Sequence, residues 1–299
     1  LSSLMLLSFR RSLFVIAGLV LDFFAGLAGE PRQLPAPMPT EVAPWRTRLL
    51  AFALGSLLPA WACAAPARPT IWTTNAERPA LLAKIEEQPW AQTVFAAMKA
   101  RVADSVANHA RNPETFLRGL PFVAHPTDPA RHPTFALIGG NMASTSESGR
   151  RHSLQRYLHI GTDCAVLFFL TGDESYARCA ADILHASVEA LVQMPRNDAT
   201  ESGGILYPGD VLYEARAVGA QLPLIYDFLH ACLTRDTKVY NVAAKPPVAF
   251  DFARAQQVFR AYAHLIIEHG QINSNHPVLE MPCLALNALA IDDDTERAD

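Results

Sequence analysis

The fold follows most directly from residues 153–184, which read SLQRYLHIGTDCAVLFFLTGDESYARCAADIL. On both sides of the turn at 171–175, apolar residues recur every three or four positions, as they do on the inner face of an α-helix. Two helices joined by so short a turn pack antiparallel. The same periodicity continues over 77–102, 210–233, 250–269 and from Pro277 onward, whereas the alternation typical of strands is essentially absent. The sequence therefore predicts an all-α protein built of successive antiparallel helical hairpins.

These helices are separated by a polar, proline-containing stretch at 234–247, by a break at 195–209 and by a long loop rich in proline and glycine at 119–148. Long loops of this kind inside a compact domain are usually functional or disordered. Pro223 lies within the helix that the pattern predicts over 210–233. Because proline removes a backbone donor from a helix interior, we expect a kink there.

Two apolar runs precede the helices, at 12–29 and 49–65. The second run follows Arg46 and Arg48 and ends in small residues, which is typical of a secretory signal peptide. We therefore expect residues 1–37 to be an upstream extension or leader, 38–65 a signal peptide, and 66–299 the helical domain of a periplasmic or secreted protein. A membrane anchor at 12–29 is the alternative, although Asp22 within it is costly in lipid. We expect no stable membrane insertion of the mature domain.

The charge and the cysteines exclude several classes of protein. The chain carries a formal net charge of −4, which argues against a general nucleic-acid binder. No close cysteine pair or His-Glu-x-x-His motif predicts a metal site, and no glycine-rich phosphate loop is present, so we expect no cofactor. Cys164 and Cys179 flank the turn at 171–175. They are either bridged in an oxidising compartment or simply buried on apolar helix faces.

The most informative segment for function is INSNHPVLEMPCLALNALAI, residues 272–291. Proline is favoured at the first position of a helix, so Asn275 and His276 should lie where a helix begins at Pro277. Free backbone N–H groups and the positive end of the helix dipole make such a point an anion site. An amide and an imidazole placed there suit a substrate that carries a carboxylate. The alternative is that they only cap the helix.

Further residues could contact a substrate near this pair: Tyr207, Tyr213, Arg151, His152, Arg216 and Glu280. The tyrosines flank a Pro-Gly-Asp turn and could stack on a sugar or donate a phenolic proton, or else pack on the next helix. Arg151 and His152 belong to the densest basic cluster and could bind acidic groups, or else form a solvated helix start. Arg216 could join the site or pair with a nearby acid. Glu280 could orient His276 one helical turn away, or only place favourable charge at the helix start.

Four segments resemble the heparinase II/III-like and alginate lyase group of bacterial polysaccharide lyases. They are IWTTNAERPALLAKIEEQPWAQTVFAAMKARVA (71–103), the hairpin quoted above, YPGDVLYEARAVGAQLPLIYDFL (207–229) and SNHPVLEMPCLALNALA (274–290). The resemblance covers roughly residues 69–299, and the Asn-His pair before a helix is its more specific element. It implies an incomplete (α/α) toroid lyase domain, preceded by the signal region and truncated at its C-terminus.

The resemblance also implies the chemistry, which is β-elimination on a uronic acid. Members of this group neutralise the sugar carboxylate with Asn or His, and His and Tyr share the proton transfers. By this resemblance Asn275 is the neutraliser and His276 the base or a second neutraliser. The group commonly places its catalytic tyrosine beyond the Asn-His helix, and this chain has none between His276 and Asp299. Alginate is the first expected substrate and a glycosaminoglycan-like polymer the second.

Two other functions remain open from the sequence. A glycoside hydrolase on the same toroid would need two carboxylates across a cleft, for which Asp210, Glu214 and Glu280 are the candidates. A glycan-binding module or inactive remnant would bind uronate oligomers without turnover. Fold alone cannot decide among them.

Overall fold

The computed structural model of the chain describes residues 67–120, 147–193, 211–235, 237–244, 247–271 and 275–298. Over these residues the elements in chain order are α1 (Arg78–Glu87), α2 (Pro89–Arg111), α3 (Pro113–Leu117), α4 (Glu147–Thr171), α5 (Glu174–Gln193), α6 (Val211–Glu214), a π-helical turn (Ala215–Gly219), α7 (Leu222–Leu233), β1 (Lys238–Tyr240), β2 (Pro247–Ala249), α8 (Phe252–His269), α9 (Pro277–Ala290) and α10 (Asp294–Ala298). The described part is mostly helical, as the sequence predicts. The leader and signal segments predicted for residues 1–65 lie outside the described residues.

The predicted hairpin at 153–184 is present as α4 and α5. Gly172 in the connecting turn has φ +75°, a conformation that glycine adopts without steric cost. Its N–H donates to the carbonyl of Phe168 at 2.7 Å, which closes the end of α4. Asp173 Oδ1 accepts the N–H of Ser175 at 2.9 Å and so satisfies a free donor at the start of α5. Most side chains of α5 are buried, so this helix runs through the core.

The core is built mainly from α4, α5, α7 and α8. Tyr226 of α7 and Phe259 and Tyr262 of α8 are among its largest fully buried side chains. The rings of Tyr226 and Phe259 meet edge to face with centroids 5.0 Å apart. The cysteines of the described residues are free and buried: Cys164, Cys179, Cys232 and Cys283. Of the two alternatives for Cys164 and Cys179, the structure has buried free thiols and no disulfide between them.

An extended segment before α1 is fastened to the far end of the domain by Arg68. Its Nη1 donates to Asp227 Oδ1 at 2.9 Å, and its Nη2 donates to the carbonyl of Ala290 at 3.1 Å and to Asp292 Oδ1 at 3.1 Å. Asp227 also accepts the backbone N–H of Ile71 at 2.9 Å. Arg68 and Asp227 are both buried. Because a buried charge requires a partner, this ion pair holds the segment against α7 and the end of α9.

The helix predicted over 210–233 is interrupted earlier than expected, and this corrects the predicted kink at Pro223. The described chain runs from α6 into the π-helical turn, and α7 then begins at Leu222 with Pro223 in its first turn. Proline is tolerated at that position because the N–H it lacks would have no partner there. The interruption therefore precedes the proline instead of bending the helix around it. Asp210, the first residue of the predicted range, lies outside the described residues.

The single helix expected over 77–102 is also divided. Gln88 has extended dihedral angles, and a new helix begins at Pro89. The residue before a proline is disfavoured in the helical region, which explains the break. Trp90, in the first turn of the new helix, is 52% exposed.

A short two-stranded sheet corrects the expectation that strands are absent. β1 and β2 pair antiparallel with Val239 opposite Val248, in the segment that the sequence suggested to be a polar connection. Three residues a strand are too few for a visible alternation. Asp182 of α5 accepts the N–H of Tyr240 at 2.7 Å, so a side chain distant in sequence anchors the first strand.

α9 begins at Pro277, as the sequence predicts. Its buried face carries Glu280, Cys283, Asn287 and Ala290, and it packs on α8, the π-helical turn and α7. Among the described residues, no helix is both long and apolar enough to traverse a lipid bilayer.

Candidate functional site

The predicted pair of polar residues lies at the start of α9. His276 occupies the N-cap position, and its carbonyl accepts the N–H groups of Leu279 at 2.8 Å and Glu280 at 2.9 Å. The His276 side chain does not cap the helix. Asn275 is exposed, and the His276 side chain is 28% exposed. Both side chains are therefore accessible at the helix end where the dipole favours an anion.

Glu280 lies beneath the imidazole of His276. Its Oε1 is 3.6 Å from His276 Nδ1, one helical turn back, and its side chain is fully buried. Its Oε2 accepts the backbone N–H of Gln271 at 3.0 Å. The 3.6 Å separation is beyond a hydrogen bond, so the carboxylate acts on the ring through its charge, which favours the tautomer with the proton on Nδ1. Since Nδ1 is buried, the accessible part of the ring lies on the side away from Glu280.

A second buried carboxylate, Glu214, lies where α6 meets the π-helical turn. It is 0% exposed and accepts the hydroxyl hydrogen of Tyr262 at 2.9 Å. Burial raises the pKa of the Cys283 thiol, and the negative charges of Glu214 and Glu280 raise it further. Tyr262, which holds Glu214, lies beside Cys283 at Gly219, and Glu280 precedes Cys283 by three residues on the buried face of α9. π-helical turns of this kind are frequent at functional sites.

The π-helical turn approaches α9 unusually closely at Gly219. An added Cβ on Gly219 would lie 2.4 Å from Cys283 Sγ, so a residue without a side chain is required here. Asn287 of α9 donates Nδ2–H to the Gly219 carbonyl at 2.8 Å. Arg216, half-buried, stands on this turn between the two anchored ends.

The roles of Tyr207, Tyr213, Arg151 and His152 at the site remain predictions. Tyr207 lies outside the described residues. Tyr213 belongs to α6, and Arg151 and His152 belong to the first part of α4, but the placement of these three side chains is not described. The structure thus brings His276 and Glu280 together and places Asn275 beside them.

Three residues of the site escaped the sequence analysis as participants: Tyr262, Cys283 and Asn287. A signal for two of them is present, because Glu280, Cys283 and Asn287 follow one another at i, i+3 and i+7 on an otherwise apolar helix. Tyr262 gives no such signal, since a single tyrosine in an amphipathic helix reads as a core residue. No group of His, Cys, Asp or Glu in the described ranges is arranged to hold a metal ion.

A second buried polar cluster joins α2, α5 and the β-hairpin. His109 Nε2 lies 2.7 Å from Asp182 Oδ2, and His185 Nε2 lies 3.2 Å from Asn241 Nδ2. Burial lowers the pKa of His185. His109, Asp182 and His185 are all buried residues, so this cluster fastens the elements together and offers no access to a substrate.

Comparison with known proteins adds one relationship to this geometry. The chain is 30% identical over 237 residues to an endo-acting ulvan lyase of Formosa agariphila, an alignment that covers 77% of this chain and 27% of the relative. The chain therefore spans about a quarter of the length of the curated relative that it matches. No protein-family model matches the chain, and no solved structure matches it. The similarity supports a relationship to polysaccharide lyases.

Proposed function

We propose that this chain is the helical part of a polysaccharide lyase that cleaves a uronic-acid-containing glycan by β-elimination. The observation that carries the proposal is the accessible Asn275–His276 pair at the start of α9, with His276 Nδ1 3.6 Å from the buried Glu280. The similarity to an ulvan lyase supports the reaction class. On the strength of that similarity we propose ulvan as the first substrate, ahead of alginate and glycosaminoglycan-like polymers.

The elimination requires that the sugar carboxylate be neutralised before the neighbouring C5–H becomes acidic. Asn275 supplies hydrogen bonds to that carboxylate, and the positive end of the α9 dipole stabilises its charge. His276 Nε2 takes the C5 proton. The electron pair of the C5–H bond forms the C4–C5 double bond, and the C4–O4 bond breaks. The departing O4 takes up a proton, for which Tyr207 and Tyr213 are the candidate donors.

Glu280 acts on the reaction through His276. Because it is fully buried, it orients the imidazole and stabilises the positive charge that the ring gains with the C5 proton. Arg216, Arg151 and His152 are proposed to bind further acidic groups of the polymer.

The wider organisation is part of the same proposal. Residues 66–299 form an (α/α) toroid lyase domain of antiparallel hairpins, behind a leader at 1–37 and a signal peptide at 38–65, in a periplasmic or secreted protein. The apolar run at 49–65 with arginines before it supports export. Its partner is an acidic polysaccharide; no nucleic acid, cofactor or stable membrane insertion belongs to the proposal.

The test is an assay of the purified chain with ulvan, alginate and a glycosaminoglycan. We expect an ultraviolet-absorbing unsaturated sugar from ulvan, and loss of this product in His276→Ala. His264→Ala is the matched control, because His264 is an exposed histidine on α8 outside the site.

The rival functions give different outcomes. New reducing ends without an unsaturated product would indicate a glycoside hydrolase. The complete burial of Glu214 and Glu280 disfavours that function, since two catalytic carboxylates must both reach the sugar. Binding of ulvan without any product would indicate a non-catalytic glycan-binding module.

A further inference from the structure

The carbonyl of Gly219 lies at a point where the helical hydrogen-bond pattern cannot serve it. Its partner in a continuous α-helix would be the N–H of residue 223, and that residue is Pro223, which has none. Asn287 supplies the missing donor, with Nδ2 2.8 Å from the Gly219 oxygen. The side chain of α9 thus completes the backbone hydrogen bonding of the π-helical turn.

The amide of Asn287 is fully committed to donating. Its Nδ2 also donates to the Cys283 carbonyl at 2.7 Å, so both amide hydrogens are used inside a residue that is 0% exposed. Its Oδ1 has no hydrogen-bond partner among the described residues. An apolar side chain of similar shape would avoid that unpaired oxygen, but it would leave the Gly219 carbonyl without a donor. The role of the Asn287 amide is therefore to give the Gly219 carbonyl a hydrogen-bond donor.

Asn287 fixes the end of the segment formed by α6 and the π-helical turn, which carries Glu214 and Arg216. Gly219 contacts α9 at Cys283, and Glu214 acts electrostatically on the same thiol, so the turn lies along the buried face of the helix that starts at His276. If the turn relaxed into a regular α-helix, the residues before it would shift by one position. That is a rotation of about 100° and a translation of about 1.5 Å along the axis.

We propose that Asn287 is a positioning residue, whose amide fixes the register of the π-helical turn on α9 and thereby sets where Arg216 stands relative to His276. This clamp, the hydrogen bond from Asn287 to the Gly219 carbonyl, is present whatever reaction the chain catalyses. Its consequence for catalysis rests on the proposed function, in which Arg216 binds an acidic group of the polymer while His276 takes the proton.

The experiment compares Asn287→Leu with Gln256→Leu in the full chain. Gln256 is a matched control, because it is also a buried amide that donates to a backbone carbonyl of α9, that of Ala290 at 3.1 Å. Kinetics on ulvan are measured together with hydrogen–deuterium exchange of the peptide covering 211–221. For Asn287→Leu we expect kcat/KM to fall at least tenfold, mainly through a higher KM, and exchange to rise selectively in 211–221. Gln256→Leu should lose comparable thermal stability but keep both properties.

A variant with a smaller change guards against misfolding. In Asn287→Ser the hydroxyl can still donate to the Cys283 carbonyl within the helix, but it is too short to reach Gly219. We expect the same rise in KM and in exchange.

The outcomes separate the two ideas. Equal losses of kcat/KM in Asn287→Leu and Gln256→Leu, or unchanged kinetics in both Asn287 variants, would overturn the positioning role. If the wild-type chain releases no product from ulvan, the proposed function fails and exchange alone decides. A selective rise in 211–221 then upholds the clamp, and no rise overturns it.

Discussion

Replacing Gly219 with alanine is the perturbation whose effect the structure defines most sharply. The new Cβ would lie 2.4 Å from Cys283 Sγ and 2.9 Å from Tyr262 Cδ1. Both neighbours are fully buried, so the π-helical turn and α9 or α8 must move apart. Overpacking costs about 1–3 kcal/mol, and two contacts this short against buried neighbours belong to the upper part of that range, about 2–3 kcal/mol. Alanine recovers part of that through its higher helix propensity, worth about 1 kcal/mol, and we expect a net loss of about 1–2 kcal/mol in the free energy of unfolding.

The magnitude can be assigned to its cause by a double-mutant cycle with Cys283→Ala. Removing Sγ takes away the nearer of the two contacts, so the penalty of Gly219→Ala should shrink in that background by about 1 kcal/mol, within the usual range for touching residues. Urea unfolding followed by circular dichroism measures all four proteins. A Gly219→Ala variant as stable as the wild type, or an undiminished penalty in the Cys283→Ala background, would refute the close approach of the turn to α9.

Three further perturbations follow from the same structure. Glu280→Gln keeps the shape beside His276 but removes the charge, and initial rates on ulvan should fall roughly tenfold or more while the circular dichroism spectrum stays unchanged. His185→Gln removes a buried ring whose pKa burial lowers. Below about pH 6.5 the unfolded wild-type chain binds a proton on His185 that the folded chain does not bind. The free energy of unfolding of the wild type therefore decreases as the pH is lowered below about 6.5. The variant should lose less, as urea unfolding at about pH 7.5 and pH 5 would measure. Asp227→Ala leaves Arg68 buried without its closest carboxylate, and the free energy of unfolding should drop by about 3 kcal/mol.

Each of these has a contradicting result. An unchanged rate for Glu280→Gln would show that the carboxylate does not act on His276. An identical loss of stability on acidification in His185→Gln would remove that ring as the cause. If Asp227→Ala is as stable as the wild type, the ion pair with Arg68 does not hold the segment before α1 in place.

Features set by nearby residues could be predicted from the sequence. The α4–α5 hairpin follows from apolar periodicity on both sides of Gly172, and the start of α9 follows from Pro277 after polar residues. In both cases the determinants lie within a few residues of the structure that they determine. The position of Asn275 and His276 directly before a helix follows from the same local pattern.

Features set by distant residues could not be predicted. The π-helical turn depends on a donor 68 residues away, from Asn287 to Gly219, and the first strand depends on Asp182, 58 residues before Tyr240. Local patterns around 210–233 read equally well as one kinked helix, because nothing in them shows that a side chain of α9 will serve the Gly219 carbonyl. Tyr262, which donates to Glu214, and Asn287, which donates to the Gly219 carbonyl, belong to this class.

The central claim is that Asn275 and His276, with Glu280 beside the imidazole, receive a uronic-acid unit at the start of α9. The most direct measurement is nuclear magnetic resonance of the histidine ring signals of the full chain during titration with ulvan oligosaccharides. We expect a saturable shift of the His276 signals, diminished in Glu280→Gln, while those of His264 stay in place. Unmoved His276 signals at oligosaccharide concentrations that shift other residues of the chain would contradict the claim.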